Sequence, residues 1–146
     1  MPACRTLLGF DFGLRRIGVA VGQELTGTAT DLETLPAREG QPDWERVGRL
    51  IEQWQPDALV VGVPYHMDGS EHPLTHAARR FARRLHGRFG LPVFELDERL
   101  SSWEAEAVVR EQRACGRRGR SRKGDLDRLA ARIILENWLQ QEAQPP

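Results

Sequence analysis

The sequence predicts one α/β domain, a five-stranded mixed sheet flanked by helices on both faces. Three observations point there. The first 35 residues read as three short strands joined by tight, Gly- and Thr-punctuated turns. The run Ala58-Leu59-Val60-Val61-Gly62-Val63 is continuously apolar, as a strand covered on both sides should be. From residue 42 onward, helical and strand periods alternate. At 146 residues and 40% hydrophobic content, the chain suits a single domain over 1–146 with a substantial core.

The elements follow in order. Residues 6–11, 17–22 and about 28–35 form the opening antiparallel meander. In Pro42–Trp54 the apolar positions Trp44, Val47, Leu50, Ile51 and Trp54 share one helical face, with Pro42-Asp43 as the start and Gln55-Pro56-Asp57 as the stop. The apolar strand 58–63 comes next, then a loop Pro64–Pro73. A helix follows with Leu74, Ala77, Ala78, Phe81, Ala82 and Leu85 inward, closed by Gly90 and Pro92. Val93–Glu98 is the fifth strand. Ser101 or Ser102 caps a helix that turns Ala105, Val108 and Val109 inward. Residues 114–122, Gly/Arg-rich without apolar period, read as a flexible basic loop. The last helix, about 124–141, buries Leu126, Leu129, Ala130, Ile133, Ile134 and Trp138, and 142–146 form a frayed tail.

Composition excludes some classes. No run of eighteen apolar residues exists, so no membrane span is expected, and the N-terminus lacks an apolar signal region. Cys4 and Cys115 lie far apart in poor metal context, which favours a reduced, cytoplasmic protein. The formal net charge is zero, yet its distribution is uneven. Between Arg110 and Lys123 stand Arg113, Arg117, Arg118, Arg120 and Arg122 with one acid, Glu111. Local neutralisation, not the sum, governs phosphate binding, so this stretch points to nucleic acid. A second basic group, Arg79 to Arg88, suits either a solvated helix face or a phosphate contact.

Three acids are candidates for one site. The first strand ends at Asp11, before a Phe12-Gly13 turn. Right-handed crossovers make the strands at 6–11, 58–63 and 93–98 parallel neighbours, so their C-terminal ends share an edge where sites form. On the last of these, Glu98 shares parity with Phe94 and Leu96, which selects it over Asp97. On the final helix, Asp127 stands beside the packed face through Ala130, Ala131 and Ile134, whereas Asp125 reads as a cap or dipole-complementing acid. A carboxylate held there needs a cation or donor. Three oxygen donors at one edge suit Mg²⁺ or Mn²⁺ and the hydrolysis of phosphodiesters.

Four segments resemble the YqgF/RuvX family of the RNase H-like nuclease superfamily. They are Phe10-Asp11-Phe12-Gly13-Leu14-Arg15-Arg16 through Gly22, Val60 through Glu71, Asp97-Glu98-Arg99 through Ala105, and Lys123-Gly124-Asp125-Leu126-Asp127 through Glu136. The resemblance runs from about residue 6 to 140 and implies an RNase H-like fold. It implies a nuclease maturing the 5′ end of the 16S ribosomal RNA precursor in the bacterial cytoplasm. It also implies the older assignment, a Holliday junction resolvase acting on four-way DNA. By the family pattern Asp11, Glu98 and Asp127 are the catalytic metal-binding acids, and Arg15 and Arg16 contact phosphate near them. Arg117, Arg118, Arg120, Arg122 and Lys123 would hold the backbone of the substrate. Arg128 stands where relatives usually carry a small polar residue, and Trp103 where a small or β-branched residue is usual.

Three function classes remain open at this point: a nuclease on structured RNA, a resolvase of branched DNA, and a non-catalytic RNA-binding assembly factor. A resolvase requires a two-fold dimer. No leucine-rich stripe announces one, so a monomer or weak homodimer is expected. The loop holding His66 and Asp68 reads equally well as a substrate loop or a structural turn.

Overall fold

The computed structural model describes residues 5–66, 68–97 and 123–143, with backbone alone at 123–126 and 142–143. Its strands are β1 (Thr6–Asp11), β2 (Arg16–Gln23), β3 (Thr28–Arg38), β4 (Gln41–Pro42), β5 (Ala58–Val63) and β6 (Val93–Asp97). The helices are α1 (Trp44–Trp54), α2 (Thr75–Phe89) and α3 (Lys123–Ala143). The sheet order is β4-β3-β2-β1-β5-β6. β1 runs antiparallel to β2 and parallel to β5, and β5 runs parallel to β6. The expected neighbours therefore share one C-terminal edge.

Among the described residues the sheet has six strands, not five. The additional strand, Gln41–Pro42, pairs with Ala37 and Arg38 across a two-residue turn at Glu39 (φ 52°) and Gly40 (φ 81°). Positive φ at both turn residues gives a backbone twist matched to that of the flanking strands. Pro42 thus belongs to an edge strand, where its missing N–H is tolerated, rather than to the helix start. Asp43 begins α1 alone, its side chain accepting from the Glu45 amide at 3.0 Å. Asp43→Ala should lower stability by about 1 kcal/mol, read as a lower urea midpoint at unchanged slope.

The sheet separates two cores. On one face Leu8, Phe10, Val19, Leu59 and Val61 pack with Val47 and Leu50 of α1 and with Phe81 and Leu85 of α2. On the other face Leu7, Ala20, Ala58, Val60 and Leu96 pack against α3. Every residue of β5 is buried, as its unbroken apolar run requires.

Helix α3 meets the sheet on a face rotated from the expected one. Ile133, Ile134 and Trp138 are buried as expected and Ala131, Leu135 and Leu139 join them, while Leu129 and Ala130 are only half-buried and the Leu126 side chain lies outside the described residues. Glycines cause the rotation. A Cβ on Gly9 would stand 2.9 Å from Leu135 Cβ, and one on Gly22 would stand 2.8 Å from Leu135 Cδ2. The helix settles where the sheet surface has no side chains, with Leu135 at the centre of contact. Glu142 and Ala143, expected in a frayed tail, continue the helix. The expected helix after Ser101 or Ser102 and the basic loop at 114–122 lie outside the described residues.

Candidate functional site

The Asp11-Phe12-Gly13 turn is explained residue by residue. Alternation along β1 puts Leu8 and Phe10 in the α1/α2 core and Leu7, Gly9 and Asp11 on the α3 face. Phe12 drops into the α1/α2 core, its ring 5.4 Å from that of Phe81. Gly13 permits the tight turn, because a Cβ there would stand 2.5 Å from the Arg16 carbonyl oxygen. The turn is fastened to the outer strands. The Gly40 amide donates to the Leu14 carbonyl at 2.9 Å, and the Ala37 amide donates to the Arg15 carbonyl at 2.8 Å. Asp11 is therefore fixed at the sheet edge, half-buried, by an anchor on the opposite face.

Asp127 arrives from α3. In the β1–β2 ladder Asp11 lies opposite Gly18, and a Cβ on Gly18 would overlap the Asp127 carbonyl and stand 2.9 Å from the Arg128 amide nitrogen. The backbone of Asp127 thus rests on Gly18, one ladder step from Asp11. Its carboxylate Oδ2 accepts from Arg16 Nε at 2.8 Å, with side-chain exposures of 39% for Arg16 and 23% for Asp127. The cation required beside this carboxylate is supplied in cis. Arg128 points elsewhere, with Nε 3.7 Å from Asp31 Oδ2 on β3, so it does not cover the Asp127 carboxylate.

Glu98 lies outside the described residues. The strand leading to it has the parity on which it was selected: Leu96 is buried in the α3 core and Phe94 packs 5.1 Å from Trp138. Glu95, on the other parity, reaches Arg79 of α2 at 3.4 Å. The ladder aligns Asp11 with Gly62 and Gly62 with Leu96, so the ends of three strands stand level. Among the described residues no three His, Cys, Asp or Glu side chains form a metal-ligand group. Asp11 and Asp127 supply two hard oxygen donors on adjoining backbone, and the pairing of Asp127 with Arg16 shows that this position draws a cation. The donor set fits a hard divalent ion.

The remaining candidates divide. Arg15 is exposed in the turn after Asp11, whereas Arg16, expected at phosphate, is drawn to Asp127. Arg117, Arg118, Arg120 and Arg122 lie outside the described residues, and Lys123 opens α3 with only its backbone described. Asp125 lies within α3 with only its backbone described. The loop before α2 shows turn chemistry. Asp68 accepts from the Ser70 hydroxyl at 2.6 Å and from the Ser70 amide at 2.9 Å, and Gly69 takes φ 91°. Those bonds, the hydroxyl first, hold the Asp68 carboxyl below its ordinary range. The His66 ring lies tilted, 5.1 Å from that of His72, whose Nδ1 accepts from the Leu74 amide.

Sequence reasoning missed Gly18 as a site residue. The available signal was a glycine inside a strand pattern, Arg16-Ile17-Gly18-Val19, which marks close backbone approach.

Comparison with known proteins gives the chain's family and fold. A family model described as RuvX, Holliday junction resolvase, matches residues 5–141. A protein of Azotobacter vinelandii named "Putative pre-16S rRNA nuclease" is 52% identical over 139 residues, covering 95% of this chain and 96% of the relative. Among solved structures, T. thermophilus RuvC in complex with a Holliday junction substrate has a TM-score of 0.55 at 18% identity, covering 97% of this chain and 99% of that one. The yeast mitochondrial Holliday junction resolvase has a TM-score of 0.58 at 12% identity, covering 97% and 80%. These two show a shared fold, which is the RNase H-like architecture of the resolvases.

Proposed function

This chain belongs to the RuvX family, and from that premise we propose that it is a metal-dependent nuclease processing the 5′ end of the 16S rRNA precursor in the bacterial cytoplasm. The observation that carries the reading is the Asp127 backbone resting on Gly18, the ladder partner of Asp11, at the C-terminal sheet edge. Glu98 is the third acid of this reading, on the parity of its strand in the sequence and on the family pattern. These carboxylates would hold Mg²⁺ or Mn²⁺, which supplies charge stabilisation at the phosphate and a more acidic water.

The chain's own residues do the positioning. Phe12, seated in the α1/α2 core, keeps Asp11 from retreating when a phosphate approaches. Arg16 holds the Asp127 carboxylate in place while the site is empty of substrate, and Arg15, exposed beside it, reaches phosphate oxygens. Arg117, Arg118, Arg120, Arg122 and Lys123, by the resemblance, would hold the substrate backbone. Acids are poor neighbours for phosphate unless a cation joins them, so a purely binding protein gains nothing from this pair.

The family's junction-resolvase description supports a second reading, four-way DNA as substrate. The test offers matched pre-rRNA fragments and four-way DNA junctions with Mg²⁺ or Mn²⁺. Cleavage of the RNA, abolished by chelator and restored by metal, is expected. Symmetric cutting of junctions by a sedimenting dimer transfers the assignment to resolution. No cleavage of either substrate assigns the chain to non-catalytic RNA binding in ribosome assembly.

A further inference from the structure

We propose that the outward face of α2 is a second phosphate-binding surface, which carries the arm of nucleic acid flanking the cleaved bond. The inference rests on the nuclease reading for its choice of partner and on α2 itself for its site. Helix α2 holds Arg79, Arg80, Arg83, Arg84 and Arg88 and no Asp or Glu. Several arginines elsewhere in the fold meet an acid: Arg5 meets Glu24, Arg16 meets Asp127, Arg46 meets Glu33 and Arg128 meets Asp31. On α2 the flanking arginines are also engaged, Arg79 with Glu95 at 3.4 Å and Arg88 over the Trp44 ring at 4.3 Å. Arg80, Arg83 and Arg84 differ. Among the described residues they meet no carboxylate within ion-pair distance, and Arg80 and Arg83 are exposed.

Their spacing makes this costly without a partner. Positions 80, 83 and 84 are i, i+3 and i+4 neighbours, at which like charges repel. A polyanion relieves that repulsion, and a nucleic-acid backbone presents phosphates in a continuous row. Placement also fits. Thr75, fully buried at the first turn of α2, donates from its hydroxyl to the Pro64 carbonyl just beyond β5. The arginine stripe therefore starts one turn from the edge that bears Asp11, and it lies on the face opposite α3. Acids on one side and arginines on the other favour an arm of structured nucleic acid broad enough to straddle the edge.

The test compares the full chain with the triple variant Arg80→Gln, Arg83→Gln, Arg84→Gln, in chelator so that binding is read without cleavage. Glutamine keeps a similar helix propensity, so α2 should persist, as far-UV circular dichroism will report. The probe is an RNA hairpin long enough to reach from Asp11 past Arg84, with a DNA duplex of equal length beside it. The slope of log affinity against log salt should flatten by roughly 2 to 3 in the variant. Arg→Lys at the same three positions should restore it, which separates lost charge from a lost fold. An unchanged slope overturns the proposal. So does a variant that loses binding only to phosphatidylserine vesicles, which would make the stripe a membrane contact. A flattened slope in a chain that cuts neither RNA nor junction DNA keeps this surface and removes the nuclease reading instead.

Discussion

Asp11→Asn is expected to reduce cleavage of the preferred substrate by more than ~10²-fold, because loss even of a group supporting a metal ligand costs 10–100-fold. The variant keeps the shape of the side chain and removes its charge. Asp11 ends β1 at a half-buried edge position whose backbone is fixed by the buried Phe12 and by the turn's bonds to the outer strands. Its melting temperature should therefore stay near that of the wild type. Calorimetric titration with Mn²⁺ should show weakened binding in the same variant, tying the lost rate to the lost donor. Cleavage by Asp11→Asn at the wild-type rate would place the reaction elsewhere.

Gly18→Ala should be nearly as damaging by a different route. The added methyl meets the Asp127 carbonyl and the Arg128 amide nitrogen, which are backbone atoms of a 21-residue helix and cannot swing aside. Either α3 lifts from the sheet or β2 bends away. Overpacking of this kind costs about 1–3 kcal/mol and occasionally more. The distinguishing feature is that stability and cleavage should fall together, since the same contact seats Asp127. Gly9→Ala is the control. Its methyl meets the Leu135 side chain, 2.9 Å away at Cβ, two turns along α3 from Asp127. It should lower the melting temperature with a smaller effect on rate measured well below that temperature. Equal loss of rate in both variants would argue that the helix moves as one rigid piece.

Much of this arrangement was legible in residue order because period and burial agreed. The unbroken run at 58–63 told of a central strand, and alternation on β1 and β6 put Asp11 and the residues before Glu98 on the α3 face. The offsets from Asp127 to Ala131 and Ile134 gave the correct facing for that acid even though the expected core on α3 was partly misplaced. What escaped was set by backbone. Strand β4 turns on Glu39-Gly40, and glutamate is an unusual residue for a positive φ, so the hairpin carried no Asn-Gly or Asp-Gly signature. The rotation of α3 depends on Gly9 of β1 lying opposite Ala20, diagonally between Gly18 and Gly22 of β2, a pattern visible only once register is known. The Arg16–Asp127 pair joins residues 111 apart in sequence, and no local rule forecasts it.

The sheet that separates the two cores also partitions the molecule for protein engineering. Residues such as Val47, Leu50, Ala78 and Leu85 line a core that touches neither Asp127 nor the glycines beneath it. Substitutions that raise thermal tolerance can be accumulated there, away from Phe12, without altering the spacing of the acids. The α3 core has no such latitude, because backbone there rests directly on backbone. Directed evolution for heat resistance should therefore collect its gains on the α1/α2 side, and selection for altered cutting should collect them on the other.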